Sequence, residues 1–305
     1  MNQNLIDNFL EMLGSERAAS INTMEAYKLD LEALEEFLTP KNLTDAILED
    51  CRSYVKYLQH QGYSSRSVNR KISSMKQFYQ FLVSEEIIDE NPTIELDLYK
   101  QSKTLPKMLE LEEIDKLFVY LENEDKPEFI RLACMLSILY SAGLRVSELV
   151  SLKLSNFEIT KAGIEPIFTV TGKGNKERVC ILNEKAQNLM QKYLSIREFF
   201  FPKNNSKYCI WLFPSSSSQG FMTRNRFGQL LKELALKSGI DPDRISPHVL
   251  RHSFASHLLS NGADLRSIQE LLGHSSIATT QVYTHLANDK LRQVIDTCHP
   301  LSKKN

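Results

Sequence analysis

No stretch of this 305-residue chain stays apolar for the roughly 20 residues that a bilayer-spanning helix requires, so no membrane role is expected. The segment from Met1 to Leu13 carries Asp7 and Glu11 and lacks a basic flank, so it does not read as a signal peptide. A cytoplasmic protein is the expectation. Cysteine is sparse and odd in number: Cys51, Cys134, Cys180, Cys209 and Cys298 make five, and no pair stands at metal-ligand spacing. Reduced, structural thiols are expected. Internal repeats are absent, and Ser215–Ser218 is too short for a low-complexity domain. Nor is there a large excess of either charge, the formal net being −1.

That near-neutrality conceals an asymmetry. Residues 1–100 hold 10 Lys+Arg against 17 Asp+Glu, a net of −7, which leaves 27 basic and 21 acidic residues, a net of +6, in 101–305. The carboxy-terminal part is therefore the expected partner of a polyanion. The apolar share of 42% is ordinary for a globular protein, and the length suits two cores.

The first hundred residues read as four helices joined by short turns, a compact bundle. Leu5, Phe9, Met12 and Leu13 mark the first, and Met24, Tyr27, Leu31, Leu34, Phe37 and Leu38 the second. Ile47, Leu48, Tyr54, Val55 and Leu58 mark a third, ending near Gly62. The fourth runs from Ser65 to Ser84 and carries Arg66, Arg70, Lys71 and Lys76 with no acid until Glu85. In an acidic domain that reversal invites contact with phosphates, although a solvated face reads equally well from charge alone. Ser20, Asn22 and Thr23 can cap the second helix or contact DNA, capping being the simpler account. Pro92 and Pro106 bound a stretch with little periodicity, which gives domains at 1–98 and 108–305 with a linker at 99–107. The second domain opens with helices over Leu111–Leu121 and Phe129–Tyr140. Strands Ile167–Thr171 and Glu177–Leu182 then flank a Gly-rich turn, and further helices cover 223–238 and 247–260.

Four segments of the second domain carry chemistry. In Ser246-Pro247-His248-Val249-Leu250-Arg251-His252, Ser246 is a good cap and Pro247 suits the first helical position. His248 then falls in the first turn, with Arg251 three residues on along the same face. A phosphate placed there meets an imidazole and a forked cation together. His248 and His252 stand four apart, as in a helical zinc pair, but Val249 replaces the required glutamate and no third ligand is apparent. Between Asp264 and Gly273 lies a short amphipathic helix, followed at once by His274. Another helix start at Ser275 or Ser276 leads to Tyr283. Two short helices about a glycine also suit a helix-turn-helix reader of DNA. In Gly143-Leu144-Arg145-Val146-Ser147-Glu148-Leu149, Glu148 can hold Arg145, or the two make a routine surface pair. Lys173 sits in the hairpin turn and lacks P-loop spacing. The inventory of two arginines, a lysine, two histidines and a tyrosine, without a carboxylate cluster for a metal, suits metal-free chemistry at a phosphodiester.

In these segments, and in Gly172-Lys173-Gly174-Asn175-Lys176-Glu177-Arg178, Leu271-Leu272-Gly273-His274-Ser275 and Tyr283-Thr284-His285, the chain resembles the tyrosine recombinases (the phage integrase family), which share their chemistry with type IB topoisomerases. The resemblance extends over nearly the whole chain and is closest to the bacterial Xer type. Met222-Thr223-Arg224 and Cys298-His299-Pro300 lean toward the XerD branch. It implies a mainly α fold with a small antiparallel β-sheet: an amino-terminal helical bundle that clamps DNA, plus an α+β catalytic domain. It implies Tyr283 as nucleophile on the scissile phosphate, giving a 3′-phosphotyrosyl link and a free 5′-hydroxyl. Arg145 and Arg251 would stabilise the transition state, and Lys173 would protonate the departing oxygen. His248 would take the tyrosine proton and His274 would hydrogen-bond a phosphate oxygen. Arg66, Arg70, Lys71, Lys76 and Arg224 are the expected further DNA contacts, and no cofactor or metal is expected. The implied partners are double-stranded DNA, a paralogous Xer recombinase in a heterotetramer, and a septal DNA translocase, the task being resolution of chromosome dimers. A helix over Ala287–Thr297 would dock on a neighbouring protomer, though Leu291, Val294 and Ile295 suit packing on their own domain equally. A type IB-like topoisomerase and a non-cutting DNA-binding regulator remain the rival readings.

Overall fold

A computed structural model of the protein describes residues 2–15, 17, 19–99, 108–161, 163–172, 177–202, 210–273 and 285–302. The chain divides into two units, Met1–Thr104 and Leu105–Asn305.

The first unit is built on α1 (Asn2–Ser15), α2 (Ile21–Leu38), α3 (Leu48–His60) and α4 (Ser65–Ser84). The apolar stripes read from the sequence close on one core that includes Phe9, Leu31, Leu34, Tyr54, Ile72 and Phe78. Serines open two of the helices: Thr23 N donates to Ser20 Oγ at 3.2 Å and Ser67 N to Ser64 Oγ at 3.2 Å. Each cap satisfies an amide that the helix cannot, an effect of about 1 kcal/mol. The basic run on α4 has a second purpose that composition did not disclose. Asp30 of α2 is buried, and Lys71 Nζ lies 3.0 Å from its Oδ1 while Arg70 hydrogen-bonds its Oδ2.

The second unit strings α5 (Leu111–Glu122), α6 (Pro127–Ala142) and the short α7 (Val146–Val150) before a three-stranded antiparallel sheet. Its strands β1 (Phe157–Thr160), β2 (Gly163–Thr171) and β3 (Glu177–Ile181) lie in sequence order. Then follow α8 (Glu184–Leu194), α9 (Arg224–Lys237), α10 (Pro247–Ser260), α11 (Leu265–Leu272) and α12 (His285–Cys298). Helix α6 is apolar nearly all round, and every residue from Leu132 to Ala142 is buried, so it forms the axis of the core. The expected hairpin is present as β2 and β3, with Val170 opposite Arg178 and Phe168 opposite Cys180. Strand β1 and helix α8 are additions to the sequence reading. β1 is only four residues long, with a single buried position, too short for alternation to register.

Helix α12 packs on its own unit, the second of the two arrangements left open by its sequence. Leu291 and Ile295 join the core of that unit, and Asn261 Nδ2 donates to Cys298 O at 2.7 Å. Behind the helix His299 is fully buried. Leu301 N–H and Asn183 Nδ2 each lie 3.1 Å from His299 Nδ1, which therefore accepts, leaving Nε2–H to donate to Tyr140 O at 3.1 Å. A second proton has no place there. Burial, above all, lowers the His299 pKa from 6.5 to about 4 against the opposing hydrogen bond to Tyr140. A folded pKa below the unfolded one means that stability is complete above pH 6.5 and declines as pH falls toward 4. We expect about 2 kcal/mol less unfolding free energy at pH 5 than at pH 7. His299→Gln, which keeps a donor for Tyr140 but cannot titrate, is expected to flatten that slope. Urea melts at the two pH values check it, and an unchanged slope in the variant would contradict it.

Candidate active site

The site grows from the end of α6. Gly143 terminates that helix in the left-handed region at φ +57, and a Cβ there would lie 2.5 Å from the Phe254 ring carbons. Both the backbone angle and the close approach of α10 require glycine. The chain then turns so that Arg145 caps α7 from the outside. Its N–H donates to Glu148 Oε2 at 2.7 Å and its Nη1 to Glu148 Oε1 at 2.9 Å. The pair expected at i and i+3 is therefore real but not a surface pair, because the Glu148 side chain is only 4% exposed.

A further arginine explains how a carboxylate is tolerated there. Arg178, buried on β3, donates Nη1 to Glu148 Oε1 at 2.7 Å and Nη2 to Oε2 at 2.8 Å. Its Nε donates to Leu271 O at 3.2 Å. Arg251 of α10, also buried, donates Nη1 to Gly143 O and Nη2 to Leu272 O, the latter at 2.6 Å. The last two carbonyls of α11 thus each face a cation, which suits the negative end of a helix. Gly273 closes α11 at φ +64, as its sequence position suggested.

The electrostatics follow from this packing. Burial raises the Glu148 pKa, but the hydrogen bonds and charge of Arg178, and then those of Arg145, outweigh it and hold the carboxyl below its usual 4.5. Burial comes first for Arg251 as well, joined by repulsion from Arg145 and Arg178, and together they pull its guanidinium down to about 10. It remains charged at neutral pH. Two guanidinia, from α7's entry and β3, thus hold one carboxylate, and the Arg251 guanidinium of α10 lies within electrostatic reach of them. Such a cluster carries surplus positive charge and is primed for an anion.

Of the other expected site residues, His248 is exposed in the first turn of α10, one turn before Arg251, and Ser246 caps that helix through Val249 N at 3.2 Å. Lys173, His274 and Tyr283 lie outside the described residues. Among the described residues no group of three His, Cys, Asp or Glu is placed to hold a metal ion. Arg224 is exposed at the start of α9, Arg66 is exposed on α4 and Lys76 is half-buried. Lys71 requires a correction. Its side chain is 8% exposed and its ammonium serves Asp30, so it is a buried ion pair and not a phosphate contact. Arg70, at 45% exposed, also pairs with Asp30. The sequence reading assigned Arg178 no role. Its signal was parity: it falls on the same side of β3 as Cys180, and a charge on a strand's buried side demands a partner.

Two family models match this chain: the phage integrase family over residues 107–290, and the phage integrase N-terminal SAM-like domain over residues 6–86. The chain belongs to the phage integrase family of tyrosine recombinases. It is 48% identical over 302 residues to the tyrosine recombinase XerD of Rickettsia bellii (strain RML369-C), a match covering 98% of this chain and 99% of that protein. To the XerD of Caulobacter vibrioides (strain ATCC 19089 / CIP 103742 / CB 15) it is 43% identical over 300 residues, covering 98% and 97%. Among solved structures, the XerH site-specific recombinase bound to palindromic difH substrate superimposes with a TM-score of 0.70 at 21% identity, over 96% of this chain and 88% of that one. The Tn1549 transposon integrase in complex with circular intermediate DNA gives 0.68 at 19%, covering 94% and 98%. These last two share the fold. Identity over nearly the full length to XerD proteins makes this tyrosine recombinase a site-specific recombinase of XerD type. The topoisomerase and the non-cutting regulator are not favoured beside it.

Proposed function

We propose that this recombinase cuts and rejoins double-stranded DNA through Tyr283 at the cluster around Glu148, and that its cellular task is the resolution of chromosome dimers at division. The observation that supports this best is that Arg145 and Arg178, from distant parts of the sequence, share one buried carboxylate, with Arg251 in electrostatic reach of all three. Tyr283 Oη attacks the scissile phosphorus, the bond from phosphorus to the 5′ oxygen breaks, and a 3′-phosphotyrosyl link forms. The phenolic proton passes to His248, and Lys173 supplies a proton to the departing 5′ oxygen. Arg145 and Arg251 offset the charge that builds on the non-bridging oxygens, and His274 donates to one of them. Attack by a 5′-hydroxyl from another duplex reverses these steps. The covalent link conserves the bond energy, so neither ATP nor a metal is needed.

Arg66, Arg70, Lys76 and Arg224 add phosphate contacts outside the cluster, with the outer face of Arg70 doing so despite its tie to Asp30. The protein works in the cytoplasm as one half of a heterotetramer with a paralogous Xer recombinase, and a septal DNA translocase activates it. The test is a nicked duplex whose cleaved end diffuses away, built on the site recovered by footprinting on chromosomal DNA. A covalent protein–DNA band is expected, persisting in EDTA and absent from Tyr283→Phe. No band on any footprinted site would overturn the reading. Supercoil relaxation without recombination would return the function to the topoisomerase alternative.

A further inference from the structure

Arg178 spends Nη1 and Nη2 on Glu148, which holds Arg145, and Nε on the Leu271 carbonyl at the end of α11. We infer that Arg178 is a positioning residue for strand cleavage, one that orients Arg145 through Glu148 and anchors the end of α11 through the Leu271 carbonyl. This rests on reading Arg145 as a group that offsets phosphate charge.

The Glu148 carboxylate shares its two oxygens among four nitrogens. Arg178 takes one lone pair on each oxygen, and Arg145 takes one on each with its backbone N–H and Nη1. A carboxylate gripped on both oxygens by a planar fork cannot rotate about its terminal bond. The direction of the Arg145 guanidinium is therefore inherited from Arg178. The other end of the same fork reaches α11. Nε meets Leu271 O, and the stem lies so close over Gly273 that a Cβ on that glycine would fall 2.6 Å from Arg178 Cδ. In sequence, Gly273 immediately precedes His274, and Arg178 follows Lys173 by five positions. One side chain thus joins β3, the carboxylate behind Arg145 and the last turn of α11. Lysine cannot substitute, because one ammonium does not present coplanar donors to two oxygens and a carbonyl at once.

The experiment compares the parent protein, Arg178→Lys and Arg145→Ala on the duplex identified by the adduct assay, made with either an ordinary phosphate or an uncharged methylphosphonate at the scissile position. Arg178→Lys keeps a charge beside Glu148 and is expected to melt cooperatively and bind the duplex as the parent does. On the phosphate it is expected to cleave about 10–100-fold more slowly, the scale of a misplacement near 1 Å. On the methylphosphonate the deficit is expected to shrink to within about 3-fold, since the charge that a misdirected Arg145 fails to offset is gone. A residue that merely holds the fold together gives the same deficit on both substrates. The inference is overturned if Arg178→Lys cleaves phosphate at the parent rate. It is also overturned if the deficit persists on methylphosphonate while Arg145→Ala is rescued. Failure of Arg145→Ala itself to be rescued overturns the reading of Arg145 beneath it. Should Arg178→Lys not melt cooperatively, Arg178→Gln, with a planar donor and no charge, takes its place in the same comparison.

Discussion

Arg251→Ala is expected to lower single-turnover cleavage by about 10³-fold or more while duplex affinity falls by less than about 10-fold. The asymmetry follows from where the guanidinium sits. Arg251 is 8% exposed and two of its nitrogens are committed to Gly143 O and Leu272 O. Little of it is available to a passing phosphate backbone, so it adds little to ground-state affinity. What it offers is a fixed positive charge in a poorly solvated place, beside Arg145, where the non-bridging oxygens gain charge as the tyrosine attacks. Removing one pre-aimed donor from such a site typically costs 10²–10³ in rate. The alanine also releases the carbonyls that close α6 and α11, so Arg145 and the end of α11 lose a common brace. Arg251→Lys separates the two effects: it restores charge and should recover part of the rate without restoring both carbonyl contacts. Binding by fluorescence anisotropy and cleavage on the nicked duplex measure the pair. Equal losses in binding and cleavage would make Arg251 an ordinary DNA contact and sink its assignment to the transition state.

The same geometry shows what a sequence can and cannot disclose. Helices α4, α9 and α10 were legible because their apolar spacing, their serine or threonine caps and Pro247 all agree. The hairpin was legible because β2 and β3 alternate around a glycine-rich turn. The Arg145–Glu148 pair was legible because the two residues stand three apart at a helix entry, where one can hold the other. The Lys71–Asp30 pair was not, since the two residues lie 41 positions apart and a buried acid on an acidic helix carries no periodic mark. In linear sequence the charges of α4 look like one patch, whereas the fold turns Lys71 inward and Arg66 outward. Arg178 was hidden for a related reason. Its meaning depends on Glu148, which comes from a different element, and on the carbonyls of α11, which are main-chain groups that no side-chain pattern reveals.

Glu148→Gln is expected to destabilise the protein by about 3–5 kcal/mol at pH 7, the cost of leaving a buried partner charge unanswered. Arg178 is 7% exposed and cannot turn to solvent, and glutamine offers it one oxygen where the carboxylate offered two. The glutamine NH2 would also face a guanidinium, donor against donor. Protonation of the carboxyl in the parent does much the same, and this fixes the pH dependence. The Glu148 pKa lies below its ordinary 4.5 in the folded protein, because Arg178 and Arg145 outweigh the burial that would raise it. A depressed folded pKa means that the stabilisation is complete above pH 4.5 and is lost as pH falls through the folded value. The difference between parent and variant should therefore be full at pH 7, undiminished at pH 5, and narrowing at pH 3. His299 does not confuse the comparison, since its titration between pH 6.5 and about 4 acts on both proteins alike. Urea melts across that range test the point. A gap under about 1 kcal/mol at pH 7, the size of an exposed pair, would mean that Glu148 is solvated in solution and that Arg145 is held by something else.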